Sequence, residues 1–154
     1  MTTFKQFLKE NIQYNKIRLW RASNNNKTFE GMSLAEDIET AEIYLNNPGF
    51  GGNTIYFTNV DYNNMNIIEL ENFHDLCRAM KIEDWDECND LVFQVDGGNI
   101  AGAIPQLKKV REKLKQEGYD WVKVAEDYPY GTTTWQPISQ KAVESINLIK
   151  YEDN

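Results

Sequence analysis

The sequence has few of the residues that build metal centres or disulfide frameworks. Its 154 residues include one histidine, His74, and two cysteines, Cys77 and Cys88. A structural zinc ion usually takes four ligands, so these three residues fall short of such a set and we expect no metal. Two cysteines in a cytosolic type of sequence are more often buried thiols than a bridged framework, so we expect buried thiols here.

Long apolar runs are also missing. No stretch approaches the ~18 consecutive apolar residues of a membrane-spanning helix. Charged residues interrupt the first 16 residues at Lys5, Lys9 and Glu10, which is not the pattern of a signal peptide. We therefore expect a soluble, cytoplasmic protein with no membrane partner.

Basic residues are scarce relative to acidic ones. Sixteen Lys and Arg stand against 24 Asp and Glu, for a net charge of −8. Direct nucleic-acid binding is therefore not expected, because neutralising a phosphate backbone needs clustered cations. Acids concentrate between residues 69 and 90 and suggest two alternatives: an ordinary solvated face, which is the commoner case, or a mimic of nucleic acid that blocks a basic surface. They are Glu69, Glu71, Asp75, Glu83, Asp84, Asp86, Glu87 and Asp90.

The composition that is present suits one globular domain over residues 1–154. Hydrophobic residues make up 41% and aromatic residues 12% of the chain, which is enough to bury a core. No linker or internal repeat divides it. An amphipathic helix is predicted at residues 3–14, where apolar residues recur at helical spacing.

Hydrophobic periodicity predicts the remaining elements. The pattern indicates a strand at 16–23, a helix at 33–47 capped by Ser33, and strands from Thr54 and at 66–70. Further along it indicates helical spacing from Phe73, an acidic elbow at 83–90, and one helix at 103–117 with Pro105 near its start. Strands at 119–126, 132–138 and 144–151 complete an α+β domain with a mainly antiparallel sheet.

No phosphate-binding loop, zinc-protease helix, serine-hydrolase elbow or dinucleotide fingerprint is present. Some polar residues nevertheless stand where a strand or helix alone does not need them. Arg21 ends an apolar strand, and its guanidinium suits a phosphate or a ribose hydroxyl, although a strand-end arginine in solvent is commoner. Tyr44 suits either a core or an aromatic ligand, and Glu126 and Asp127 suit either solvent or a sugar hydroxyl.

Four stretches follow one another within residues 17–149: "LWRAS", "GMSLAEDIETAEIYL", "GGNTIYFTNVDYNNMNIIEL" and "YDWVKVAEDYPYGTTTWQPISQKAVESI". In chain order they resemble the ADP-ribosyltransferase family, and in detail its small phage-encoded anti-CRISPR members. The resemblance implies a mainly antiparallel split sheet with flanking helices.

The resemblance implies a site for NAD as substrate. Arg21 would bind the nicotinamide-side ribose and the diphosphate, and the small residues Ala22 and Ser23 would follow it, with the Ala22 backbone holding the nicotinamide amide. Tyr44 would pack on the nicotinamide, with Ser33 as the alternative in a Ser-type arrangement.

The resemblance also implies an acid that stabilises the ribosyl cation. The family's usual Glu-x-Glu pair is absent, and Gln136 stands on the penultimate strand. The acid would then come from the preceding loop as Asp127, which is favoured, or Glu126. If Gln136 holds the acid's position instead, the protein would be a binder without turnover.

The function implied is mono-ADP-ribosylation of a protein target, such as a subunit of a CRISPR effector, by a phage anti-defence protein in the host bacterial cytoplasm. Two alternatives stay open: an enzyme that only hydrolyses NAD, and the non-catalytic acidic inhibitor described above.

Overall fold

The structure is a computed structural model, and it describes residues 15–47, 51–95, 99–125 and 133–152. The predicted helix at 3–14 lies outside these residues. The described strands are β1 (Lys16–Ser23), β2 (Leu34–Ala35), β3 (Thr54–Asp61), β4 (Ile67–Leu70), β5 (Trp121–Ala125), β6 (Thr133–Pro137) and β7 (Ile149–Lys150). The described helices are α1 (Ile38–Ile43), α2 (Phe73–Ala79), α3 (Trp85–Val92), α4 (Ile100–Gln106), α5 (Lys108–Gln116) and α6 (Gln140–Glu144).

The seven described strands form one sheet in the order β4-β5-β6-β2-β1-β3-β7. The β4–β5 pair is parallel and the other neighbouring pairs are antiparallel, which confirms an α+β domain whose sheet is mainly antiparallel. The sheet is continuous, so the expected split is reduced to a narrowing at β2. That strand has two residues, and in the strand order it lies between β6 of one half and β1 of the other.

Helices α2 to α5 cover the β4-β5-β6 half of the sheet. Their apolar side chains and those of β4 and β5 form the larger core cluster, in which Leu76, Ile104, Leu114 and Val122 are fully buried. A second cluster on Leu19, Trp121 and Trp135 joins the two halves. Within the described ranges, no helix has both the length and the apolar character needed to cross a membrane.

The helix predicted at 33–47 begins later than expected, and Ser33 is not its cap. Leu34 and Ala35 form β2, and α1 starts at Ile38, where the Asp37 side chain accepts a hydrogen bond from Thr40 N at 2.7 Å. The reason is tertiary: Leu34 is fully buried and pairs with Trp135, and that burial outweighs the local helical spacing.

The helix predicted at 103–117 is two helices. It breaks at Leu107, whose backbone is extended, and Pro105 lies in the last turn of α4 rather than near a helix start. Arg111 compensates for the break, since its Nη1 donates to the carbonyls of Ile104 (2.8 Å) and Pro105 (2.9 Å). Such carbonyls are left without intrahelical partners where a helix ends.

Two other sequence predictions were wrong at the level of local structure. The acidic elbow is mostly helix α3, because Asp84 caps it by accepting from Asp86 N and Glu87 N. The strand predicted at 144–151 is limited to the two residues of β7, because Glu144 is the last residue of α6, capped by Ser139, and residues 145–148 form neither helix nor strand.

The prediction of free buried thiols was also wrong. Cys77 and Cys88 are both buried, as expected, but they form a disulfide with a Cα–Cα distance of 5.9 Å. The disulfide joins α2 to α3. Nothing in the sequences of these two helices indicates that they lie side by side.

Candidate functional site

The first residue of the candidate site is Arg21, a charged residue that is partly buried. It stands near the end of β1, half-buried, and its Nη1 donates to the backbone carbonyl of Ser33 at 3.0 Å. Its Nε is buried and has no hydrogen-bond partner among the residues that the structure describes. Burial lowers the pKa of the guanidinium below its ordinary value, because a desolvated site disfavours the charged form.

Gln136 lies on the other side of Ser33. Its side chain is fully buried on β6, and its Nε2 donates to Ser33 Oγ at 3.0 Å and to the Ala101 carbonyl at 2.7 Å. A carbonyl can only accept, so the bond to Ala101 fixes which end of the amide is the nitrogen. The Oε1 atom is then a buried acceptor with no partner within the described ranges.

Strand pairing brings these three residues together. Ser33 directly precedes β2, where Leu34 pairs with Trp135 of β6 and Ala35 pairs with Trp20 of β1. Continued by one residue on β6 and by two on β1, the same register places Ser33 opposite Gln136 on one side and opposite Ala22, the residue after Arg21, on the other. The arrangement is therefore a product of the narrow β2 strand at the centre of the sheet.

A fourth residue, Phe29, completes what we call the Arg21 site: Arg21, Phe29, Ser33 and Gln136. The ring of Phe29 lies over the guanidinium, with Arg21 Cζ 5.2 Å from the ring centroid. Phe29 was not among the residues predicted from the sequence. A lone aromatic residue in a stretch of Asn, Lys and Glu was the available signal.

The Arg21 site pairs one unpartnered donor with one unpartnered acceptor. Leaving a buried polar atom without a hydrogen bond costs about 1–3 kcal/mol, and more when the group is charged, so such atoms call for a ligand or an ordered water. Arg21 Nε suits an oxygen of a phosphate or sugar, and Gln136 Oε1 suits a hydroxyl or amide N–H. Among the described residues the two groups are linked through Ser33, Arg21 by its bond to the backbone carbonyl and Gln136 by its bond to the hydroxyl.

The other predicted binding residues lie elsewhere. Tyr44 packs with Ala22 in a small apolar cluster on Ile55. Successive strand residues point to opposite faces, so Tyr44 lies on the face of β1 away from the Arg21 side chain. Ser23, half-buried at the end of β1, accepts a hydrogen bond from Asn25 N at 3.4 Å. The structure therefore brings together Arg21, Ser33 and Gln136, and not Tyr44.

The predicted acids Glu126 and Asp127 lie outside the described residues. The flanking strands are described: Ala125 ends β5 opposite Thr133, the first residue of β6. Gln136 stands three positions further along β6, which is about 10 Å at the usual rise of a strand. Both acids thus belong to the connection that enters the strand of Gln136.

Metal-binding clusters and surface grooves are the other features that could mark a functional site. Among the described residues, no group of three or more His, Cys, Asp and Glu side chains could hold a metal ion. Two surface grooves of about 510 and 440 Å³ lie elsewhere, one beside Asn64 and Tyr119 and the other beside His74 and Trp85. Neither is lined by a residue of the Arg21 site.

No protein-family model matches the chain, and no curated protein matches it. One solved structure, described as the crystal structure of an anti-CRISPR protein, is 14% identical and matches with a TM-score of 0.46 over 88% of this chain and 96% of that one. A likeness at that TM-score carries no argument about what this chain does. The resemblance to ADP-ribosyltransferases therefore stays a prediction.

Proposed function

We propose that the chain is a mono-ADP-ribosyltransferase that cleaves NAD and transfers ADP-ribose to a protein of a host defence system. The observation that supports this proposal is the Arg21 site. A buried cationic donor and a buried neutral acceptor, both unpartnered within the described structure, are joined through Ser33. NAD offers phosphate and ribose oxygens to the first, and ribose hydroxyls or its carboxamide N–H to the second.

The proposed reaction begins with departure of nicotinamide. The bond between ribose C1′ and the nicotinamide nitrogen breaks, its electron pair leaves with the now neutral nicotinamide, and positive charge develops on the ribose. Asp127, or Glu126 in its place, would stabilise that charge more than it stabilises the ground state. A nucleophile of the target then bonds to C1′ and loses its proton. Gln136 is neutral, so it would bind and orient the ligand.

The product explains why the reaction would suit an anti-defence protein. ADP-ribose adds bulk and two phosphate charges to the residue that accepts it. On a surface that binds nucleic acid, those charges would repel the phosphate backbone, as phosphorylation does in a basic site. A CRISPR effector subunit is a target of that kind.

The test is transfer of label from NAD carrying a radioactive adenylate group to proteins of a bacterial lysate that contains a CRISPR effector. We expect Arg21→Lys and Asp127→Asn each to abolish labelling. Arg18→Lys is the matched control, because Arg18 is an exposed arginine of the same strand whose Nε is bonded to Asn59. Labelling that survives Arg21→Lys would refute the site, and nicotinamide release without labelling would favour the hydrolase.

The acidic inhibitor remains as a second candidate because of one observation. Helix α3 and the residues before it expose five acids in succession along one surface segment: Glu83, Asp84, Asp86, Glu87 and Asp90. None of the described salt bridges involves any of them. Inhibition of a nucleic-acid-binding effector without NAD, lost as salt is raised, would favour this candidate over the enzyme.

A further inference from the structure

Phe29 is an exposed aromatic residue whose ring also contacts a charged side chain. Its side chain is 46% exposed, yet the inner face of the ring lies over the Arg21 guanidinium. A cation over an aromatic face is attracted by the ring quadrupole. The ring therefore covers the one charged group of the Arg21 site and faces solvent on its other side.

The backbone under Phe29 is a tight turn. Met32 N donates to the Phe29 carbonyl at 3.3 Å, which closes a four-residue turn. The third residue of the turn is Gly31, with φ of +83°, as a type II turn requires. A side chain at Gly31 would also meet Arg111 Cδ at 3.0 Å and the Ile104 carbonyl at 3.1 Å.

The turn is clamped from two sides. Glu30 forms ion pairs with Arg111, at 3.2 Å, and with Lys115, and the Arg111 side chain is only 17% exposed. Gly31 N donates to the carbonyl of Pro137, the residue after Gln136, at 2.7 Å. The turn is held through the Glu30 side chain and the Gly31 backbone, so rotation of the Phe29 side chain away from Arg21 would leave these bonds intact.

We propose that Phe29 is a specificity-determining cap of the Arg21 site, a ring that shields the guanidinium until a ligand displaces it. Arg21 Nε is a charged donor that is buried and unpartnered within the described structure, and the Phe29 ring lies over that same guanidinium. A ligand must therefore replace the cation–π contact as well as bind the donor. This inference rests on the proposed function for the identity of the ligand, NAD.

The cap selects by chemistry. A small anion such as pyrophosphate binds the donor but brings no flat ring. When it displaces Phe29, nothing replaces the cation–π contact of Arg21. NAD carries flat rings that can lie against the displaced Phe29 or against Arg21 itself. The cap therefore disfavours bare phosphates, which are abundant in any cell, relative to a dinucleotide.

The experiment uses the full chain with ¹⁵N-labelled arginine, followed by NMR. Phe29→Ala removes the cap, Phe29→Leu keeps an apolar cover without the ring quadrupole, and Phe93→Ala is the control at an 81% exposed phenylalanine of the α3 end. Solvent exchange of the Arg21 Nε–H is measured without ligand. Pyrophosphate and NAD are then titrated separately against the same signal.

Loss of the cation–π contact should make exchange about twofold to fivefold faster in Phe29→Ala, and should tighten pyrophosphate binding by a similar factor. Phe29→Leu should fall between, and Phe93→Ala should match the wild type. Unchanged exchange, or weaker pyrophosphate binding in Phe29→Ala, would overturn the cap. Faster exchange with tighter pyrophosphate binding but no NAD binding by any variant would uphold the cap and overturn the proposed function.

Discussion

The Gln136→Glu substitution replaces a buried amide with a buried carboxyl group, which should make the stability of the protein depend on pH. Gln136 is fully buried, and its Nε2 must donate to the Ala101 carbonyl 2.7 Å away. A glutamate can make that bond only as the protonated acid. Among the described residues, no hydrogen bond joins Arg21 to Gln136.

The size of the stability loss expected for Gln136→Glu follows from proton linkage. Burial and the facing carbonyl raise the folded-state pKa of the new carboxyl above that of the unfolded chain, about 4.3. The folded state then holds a proton that the unfolded state loses, so stability falls as pH rises above 4.3. If the acid stays protonated at pH 7, the cost is about 2.7 pH units at 1.36 kcal/mol each, or about 3.7 kcal/mol. At pH 5.5 the cost falls to about 1.6 kcal/mol.

The assay is urea denaturation of wild type, Gln136→Glu and the exposed control Gln116→Glu at both pH values. We expect Gln136→Glu to recover about 2 kcal/mol relative to wild type between pH 7 and pH 5.5, and the control to recover almost nothing. A Gln136→Glu protein that is as stable as wild type at pH 7 would refute the reasoning. It would mean that position 136 accommodates an ionised carboxylate at pH 7.

Two further predictions concern stability. Replacing Cys77 and Cys88 with alanine should lower the free energy of unfolding by about 2.8 kcal/mol, the chain-entropy value for the 11-residue separation; a urea titration that gives wild-type stability would contradict it. Gly31→Ala should cost about 1–2 kcal/mol more than Gly118→Ala, because both have positive φ but a Cβ at Gly31 meets Arg111 at 3.0 Å and one at Gly118 meets nothing within 4 Å. Equal losses in thermal unfolding would show that the Gly31 contact is not tight.

The strands could be predicted where local pattern and burial agree. Alternation in "KIRLWRAS" and the β-branched and aromatic run from Thr54 indicated β1 and β3, and both are present. The run at 33–47 misled because Leu34 and Ala35 are required by distant partners, Trp135 and Trp20, which local periodicity does not encode. Long-range pairing outweighed helix propensity at that point.

Part of the candidate site could be predicted from the sequence. Arg21, Ser33 and Gln136 were chosen on a family resemblance, and the structure brings them together through β2. Nothing local to Tyr44 indicated that it would pack on Ala22, on the other face of β1. The position of Phe29 could not be predicted, because it depends on a contact between the turn at Gly31 and α5, two segments about 80 residues apart.

The central claim is that Arg21 binds NAD, and a calorimetric titration of the purified chain tests it most directly. We expect saturable binding with one site per chain, weakened about tenfold or more by Arg21→Lys, since a lost bond to a charged group is worth about 1.5–3 kcal/mol. Arg18→Lys should bind like the wild type, and all three proteins should have the same urea midpoint within about 0.3 M. No heat of binding with NAD, or equal affinity for wild type and Arg21→Lys, would contradict the account.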